Sequence, residues 1–192
     1  MSFVLTLVPA LLILAIIILR GGGKGIHKFP ARFSARVVWV CDGDSFYVRR
    51  NLWGRRFKIR LLGMDAPETA QRYGRASTAK LKSLIHRRWV VVTALGRDRY
   101  GRLVAHVRAG NRDVSTEMIR SGFAWPYFAY GGSVPDVERE TYRAAYEDAR
   151  AHRRGLWRDD APEPPWAWRR RHDSLLSQIK FRTGRKIRGS KT

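Results

Sequence analysis

At 192 residues the chain has room for one domain with flanking tails, and 38 Lys and Arg against 16 Asp and Glu give a formal charge of +22. That excess goes beyond what solubility needs and implies a polyanionic partner, either nucleic acid or an anionic lipid surface. The one cysteine, Cys41, excludes an intrachain disulfide and reads as an inert core thiol, and the lack of a Cys/His cluster argues against a zinc site.

Residues 3–19 are apolar except for Thr6 and Pro9 and would span about 25 Å as a helix. The sequence therefore predicts a retained single-pass membrane anchor over 1–20, with a cleaved signal peptide as the other reading. Arg20, Lys24, Lys28 and Arg32 flank its C-terminal end, which favours a cytoplasmic domain; translocation despite that charge stays open. A glycine-rich linker follows over 21–34.

Strands are expected over Arg36–Cys41, Ser45–Arg49 and Arg56–Leu62, a three-strand meander with Asp42-Gly43-Asp44 at its first turn. Leu81, Leu84 and Ile85 give one apolar stripe and predict a helix over Ala76–His86. Two more strands follow, Trp89–Leu95 and Leu103–Arg108, joined by a hairpin at Arg97–Arg102. Ser115 reads as the N-cap and Gly122 as the stop of a short helix. Val137, Thr141, Ala145 and Ala149 recur every four residues on a last helix that Gly155 ends, after which Leu156 and Trp157 fold back onto the core. The expected class is α+β, mainly β: a five-stranded OB-fold barrel with three helices behind one transmembrane helix. The domain is expected over 35–168. Residues 169–192 form a basic tail with nine Lys and Arg against one Asp, either a solvated polyelectrolyte or a short amphipathic element through Leu175, Leu176 and Ile179.

The scarce acids are the sharper signal. The strand Ile59-Arg60-Leu61-Leu62 ends in Gly63-Met64-Asp65-Ala66-Pro67-Glu68, which sets two carboxylates beside a guanidinium on one rigid element. Asp44 lies at an adjacent strand end, so Asp44 and Asp65 are candidates to share one hard cation. Turn chemistry is sufficient to account for Asp42 but not for Glu68. Downstream, Asp98-Arg99-Tyr100-Gly101-Arg102 makes a tight turn that aims Arg102. A guanidinium binds phosphate through two parallel bonds and stays charged at any working pH.

These three motifs, in this order and at this spacing, resemble the staphylococcal-nuclease-like (thermonuclease) family over Ala35 to Arg169. The resemblance implies a calcium-dependent phosphodiesterase, an endonuclease acting on DNA and RNA and leaving 3′-phosphate ends. It implies metal ligands at Asp44, Asp65 and the Ala66 carbonyl, Glu68 as general base, and Arg60 and Arg102 at the phosphoryl group. Ala66 and Ser45 stand where the family often has Thr; a carbonyl ligand survives the first change and a hydroxyl the second. Tyr73, Tyr127 and Tyr130 are candidates for stacking on bases, against core or rim packing as the plainer role. A monomer is expected. The competing functions are a binding module of the same fold without catalysis and a membrane-surface adaptor; the second leaves the acidic cluster unexplained.

Overall fold

In a computed structural model the residues described are 31–51, 54–128 and 134–174, and they belong to one compact unit. The first strand, β1 (Arg32–Val40), alternates by residue type: Phe33, Ala35 and Val37 are buried while Arg32, Ser34 and Arg36 face out. A bulge opposite β2 (Ser45–Arg49) falls between Val37 and Trp39 and shifts the phase, so that Trp39 faces out and Val40 faces in. This strand begins at Arg32, earlier than the expected Arg36, because its alternating apolar residues start at Phe33.

Next come β3 (Arg56–Leu61), β5 (Trp89–Arg97) and β6 (Leu103–Ala109), the short β4 (Met64–Asp65) lying between β3 and β5 in the chain. Antiparallel pairing runs β3–β2–β1–β5–β6, and a parallel pairing of β3 with β6, Ile59 opposite Leu103, closes the ring. The result is a closed five-stranded barrel of OB type with α-helices added, as expected. Its interior is branched aliphatic: Val37, Val48, Ile59, Val92, Leu103 and Val107 are each at most 1% exposed. Truncating one of the larger of these to Ala would cost about 2–5 kcal/mol.

Helix α1 (Gly74–Ile85) buries Leu81 and Ile85 under the barrel, with Leu84 half-buried. The short β7 (Arg112–Asp113) precedes α2 (Val114–Arg120), then come β8 (Trp125–Pro126) and α3 (Asp136–Ala151). A 3-10 turn occupies Gly155–Arg158, and residues 165–174 form a further helix, α4. Leu156 and Trp157 do fold back, packing with Trp125 and Ala149. Three local expectations are corrected. The cap of α2 is Asp113, which accepts the Thr116 N–H at 2.7 Å; Ser115 is buried and donates instead to the Leu62 carbonyl at 2.9 Å. On α3 the buried stripe is Tyr142, Ala145 and Ala149, while Val137 stands 78% exposed. Cys41 is half-buried, not core, and burial pushes its thiol up. The anchor expected over 1–20 lies outside the described residues; among the described residues no helix is long and apolar enough to cross a membrane.

Candidate active site

The turn between β1 and β2 is built by Asp42, whose Oδ1 accepts the N–H groups of Asp44 at 3.0 Å and Ser45 at 2.7 Å. Burial is the largest influence on Asp42 and holds its carboxyl above the usual range despite the Ser45 N–H. Gly43 sits where a Cβ would overlap the Ser77 hydroxyl and the Ala66 methyl, so the turn presses against α1 and the loop after β4. That packing sends the Asp44 carboxylate inward, where it is 8% exposed and accepts the Ser45 hydroxyl at 2.8 Å.

Across β3, Arg60 is 4% exposed and Asp65, on β4, is fully buried. The Arg60 guanidinium joins two acids at once: Nη1 pairs with Asp44, and Nη2 donates to Asp65 Oδ1 at 2.9 Å. Two carboxylates, one from the β1–β2 turn and one from β4, thus converge on one buried cation. The Ala66 N–H reaches Asp44 Oδ2 at 3.4 Å, which puts its backbone at the same point. Arg60 Nε is buried and has no hydrogen-bond partner among the described residues.

Arg102 is held on the opposite wall. Its Nε donates to Asp98 Oδ2 at 2.6 Å, its backbone N–H to Asp98 Oδ1 at 3.0 Å, and its Nη1 to the Ser45 hydroxyl at 3.2 Å. Burial works against charge on Asp98, but the bonds from Arg102 hold its carboxyl below the usual range. Gly101 N–H bonds back to the Asp98 carbonyl at 2.9 Å, so the expected tight turn does aim the guanidinium. Asp44, Arg60, Ala66, Glu68 and Arg102 all line one cleft of about 280 Å³, together with Tyr127. Tyr73 is elsewhere: its hydroxyl donates to Asp159 at 2.8 Å and its ring packs on the Trp125–Trp157 cluster. Tyr130 lies outside the described residues.

One cleft residue was assigned by sequence to the tail. Arg169, on α4, donates from Nη1 to Glu68 at 2.7 Å and from Nη2 to Asp65 Oδ2 at 2.7 Å. Burial opposes its charge, but those two carboxylates hold its pKa above the ordinary value. The helix is seated by Trp166, which stacks on Tyr127 with ring centroids 5.5 Å apart and meets Trp125 edge-on at 6.4 Å. The tryptophans before Arg169 were the available signal, since a polar tail has no use for two indoles in three residues.

The donor set fits a hard divalent cation in chemistry: two buried carboxylates and a backbone segment, all oxygen. Among the described residues no group of three or more His, Cys, Asp and Glu is placed to hold a metal ion. The remaining oxygens would therefore come from the Ala66 carbonyl, water or substrate.

A closed barrel whose cleft sets carboxylates beside guanidinium groups has the chemical groups that a phosphate-ester hydrolase needs. The model of the family described as staphylococcal nuclease homologue matches residues 58–159. A relative from Escherichia coli O157:H7 named uncharacterized endonuclease is 42% identical over 144 residues, 73% of this chain and 88% of the relative. A micrococcal nuclease of Shigella flexneri is 35% identical over 149 residues, 73% of this chain and 82% of the relative. A Haemophilus influenzae protein also named uncharacterized endonuclease is 34% identical over 137 residues, 71% and 73% of the two chains. The chain belongs to the staphylococcal nuclease family, and it is a nuclease.

Proposed function

We propose that the chain is a calcium-dependent endonuclease that cuts DNA and RNA with little sequence preference, attached to a membrane through residues 1–20. The observation that supports it most is the shared cleft: Asp44, Asp65, Glu68, Arg60 and Arg102 meet around one space. A binding module would have no need of all five.

Calcium, when bound by Asp44, Asp65 and the Ala66 carbonyl, supplies positive charge beside the phosphoryl group. Glu68 takes the proton of the attacking water, a task for a carboxylate near but outside the ligand pair. Its Oε1 is paired with Arg169, which orients the carboxylate and leaves Oε2 to accept the proton. Arg60 brings a buried Nε donor with no partner among the described residues, and a phosphoryl oxygen satisfies it. Arg102, fixed by Asp98 and Ser45, stabilises negative charge that grows as phosphorus becomes five-coordinate. Of the two candidates among the described residues, Tyr127 lines the cleft and Tyr73 does not, so Tyr127 is the base-stacking choice.

The test is plasmid nicking with calcium and then with chelator, followed by end-group analysis. Calcium-dependent nicking that leaves 3′-phosphate ends is expected. Binding without cleavage under all metals would sink the catalytic reading and leave a binding module. Fractionation of the full chain with membranes tests the anchor; recovery in the soluble fraction without detergent rejects it.

A further inference from the structure

The charge of the domain is unevenly distributed. Residues 31–97 carry fifteen Lys and Arg against four acids, and those four, Asp42, Asp44, Asp65 and Glu68, are all in or beside the cleft. Residues 98–163 carry eleven Lys and Arg against eleven acids. The excess therefore falls on β1, β2, β3, α1 and β5, where no Asp or Glu outside the cleft is available from the same stretch.

Register organises that excess into rows on the outside of the barrel. Arg56 on β3 stands opposite Arg49 on β2, Arg49 opposite Arg36 on β1, and Arg36 opposite Trp89 on β5. Three arginines and a tryptophan thus cross four strands side by side, a row roughly 14 Å long at the usual strand spacing. Arg36 and Arg56 are both exposed at the two sides of this row, where a polyanion can reach them. Trp89 is 59% exposed, an unusual place for an indole with no aromatic function. Arg36 is aimed: its Nε donates at 3.2 Å to the carbonyl of Arg87, a residue held at φ 59°.

A second row lies two residues nearer the cleft, with Lys58 opposite Tyr47 and Tyr47 opposite Trp39. The bulge in β1 is what turns Trp39 outward here, 57% exposed with Lys82 Nζ 5.6 Å above its ring. One further step along β3 is Arg60 in the cleft, opposite Ser45. Arg60, Lys58 and Arg56 therefore follow one line, each about 7 Å from the next. That interval is close to the repeat of an extended single strand.

We propose that this outer face of β3, β2, β1 and β5 is a binding track for single-stranded nucleic acid leading away from the cleft. Phosphates lie on Lys58, Arg56 and Arg36, and bases stack on Trp39 and Trp89, the pairing of cations with aromatic platforms that holds single strands without reading sequence. The track rests on the nuclease reading only for the end from which the strand leaves; its affinity does not depend on catalysis.

The test uses the full chain in chelator and labelled oligothymidylates of about four and about sixteen nucleotides, within the range of site sizes for such barrels. Arg36→Gln with Arg56→Gln should weaken the longer strand tenfold or more and lower its salt slope by about 1.4, at about 0.7 for each phosphate no longer neutralised. Trp89→Ala should weaken it about fivefold or more, and Trp89→Phe should recover part of that. The shorter strand, satisfied by the cleft, should change less than twofold. Unchanged affinity for the longer strand, equal losses for both strands, or equal binding of blunt duplex by the parent would each overturn the track. In calcium, hydrolysis of a nitrophenyl nucleotide ester should be the same in parent and variants, and its loss in the variants alone would also count against it. If the parent fails to hydrolyse that ester, the nuclease reading is what fails, and the chelator measurements still judge the track.

Discussion

The two halves of the domain treat charge differently. In residues 98–163 acids and bases meet each other: Glu117 with Arg120 at 2.8 Å, Glu140 with Arg143 at 3.1 Å, Asp148 with Arg154 at 2.5 Å and Asp160 with Arg153 at 3.0 Å. His106 on β6 is held between Asp113 and Glu138 and so joins barrel, α2 and α3. In residues 31–97 the few acids are drawn into the cleft, and cations such as Arg36 and Arg56 stand exposed on the outer face of the barrel. The first pattern is one of local pairs that add little each, about 0–1 kcal/mol, with His106 as the brace that ties separate elements together. The second is that of a surface waiting for a ligand. The number of arginines alone could not distinguish them, because both halves are rich in arginine.

The contrast can be broken most directly in the cleft. Glu68→Gln should keep the fold while turnover falls about 10²- to 10⁴-fold, the usual contribution of a general base; unchanged turnover in single-turnover cleavage removes Glu68 from the mechanism. Arg102→Lys retains the charge but cannot reach both Asp98 and Ser45, so turnover should fall by about 10² while oligonucleotide affinity in chelator barely moves. Near-normal cleavage would reduce Arg102 to bulk charge. Arg169→Gln removes a partly exposed cation that competes for Asp65 and Glu68, so calcium should bind about two- to fivefold tighter by calorimetry. Arg171→Gln, which breaks only the Arg171–Glu163 pair on the same helix, is the control and should leave calcium affinity alone.

The smallest effect sharpens the bracing half. The bond to Asp113 is the first reason that the His106 pKa is raised in the folded protein, and Glu138 adds to it. A raised folded pKa contributes stability that is complete below the unfolded value of about 6.5 and is lost as pH rises through the folded one. Asp113 runs the other way: burial opposes its charge, yet His106 and Thr116 hold its carboxyl low, so its share is lost as pH falls through that depressed value. In chelator, the melting temperature should therefore decline as pH is raised from about 6. His106→Gln should flatten that decline, and an unaltered slope would show that the brace does not titrate there.

Much of this was legible in the sequence because it is local. Alternation gave the barrel strands, the Asp-Gly-Asp turn gave Asp44, and the break after Leu62 gave Asp65 and Glu68, since each depends on near neighbours in the chain. What failed depended on distant ones. Ser115 is as good a cap as Asp113 by type, and only the approach of the Leu62 carbonyl decides that it is used otherwise. A four-residue interval through Val137 drifts around a helix of 3.6 residues per turn, and the buried line runs through Tyr142 instead. Arg169 stood among charges that looked interchangeable; Trp166, docked on Tyr127 and Trp125, singles it out.

Gly122 and Gly155 stand backbone against backbone: the Leu156 N–H donates to the Gly122 carbonyl at 2.8 Å, and a Cβ on either glycine would collide with backbone beside the other. Both are at positive φ, 72° and 54°, so a side chain at either site would add conformational strain as well. This clasp fixes Leu156 and Trp157, on which Trp125 and then Trp166 lean, and α4 with Arg169 lies at the end of that series. In time rather than in distance, the clasp is a clock. Exchange of the Leu156 amide with solvent deuterium counts its openings, and those openings set the fastest rate at which the whole tryptophan stack can come apart.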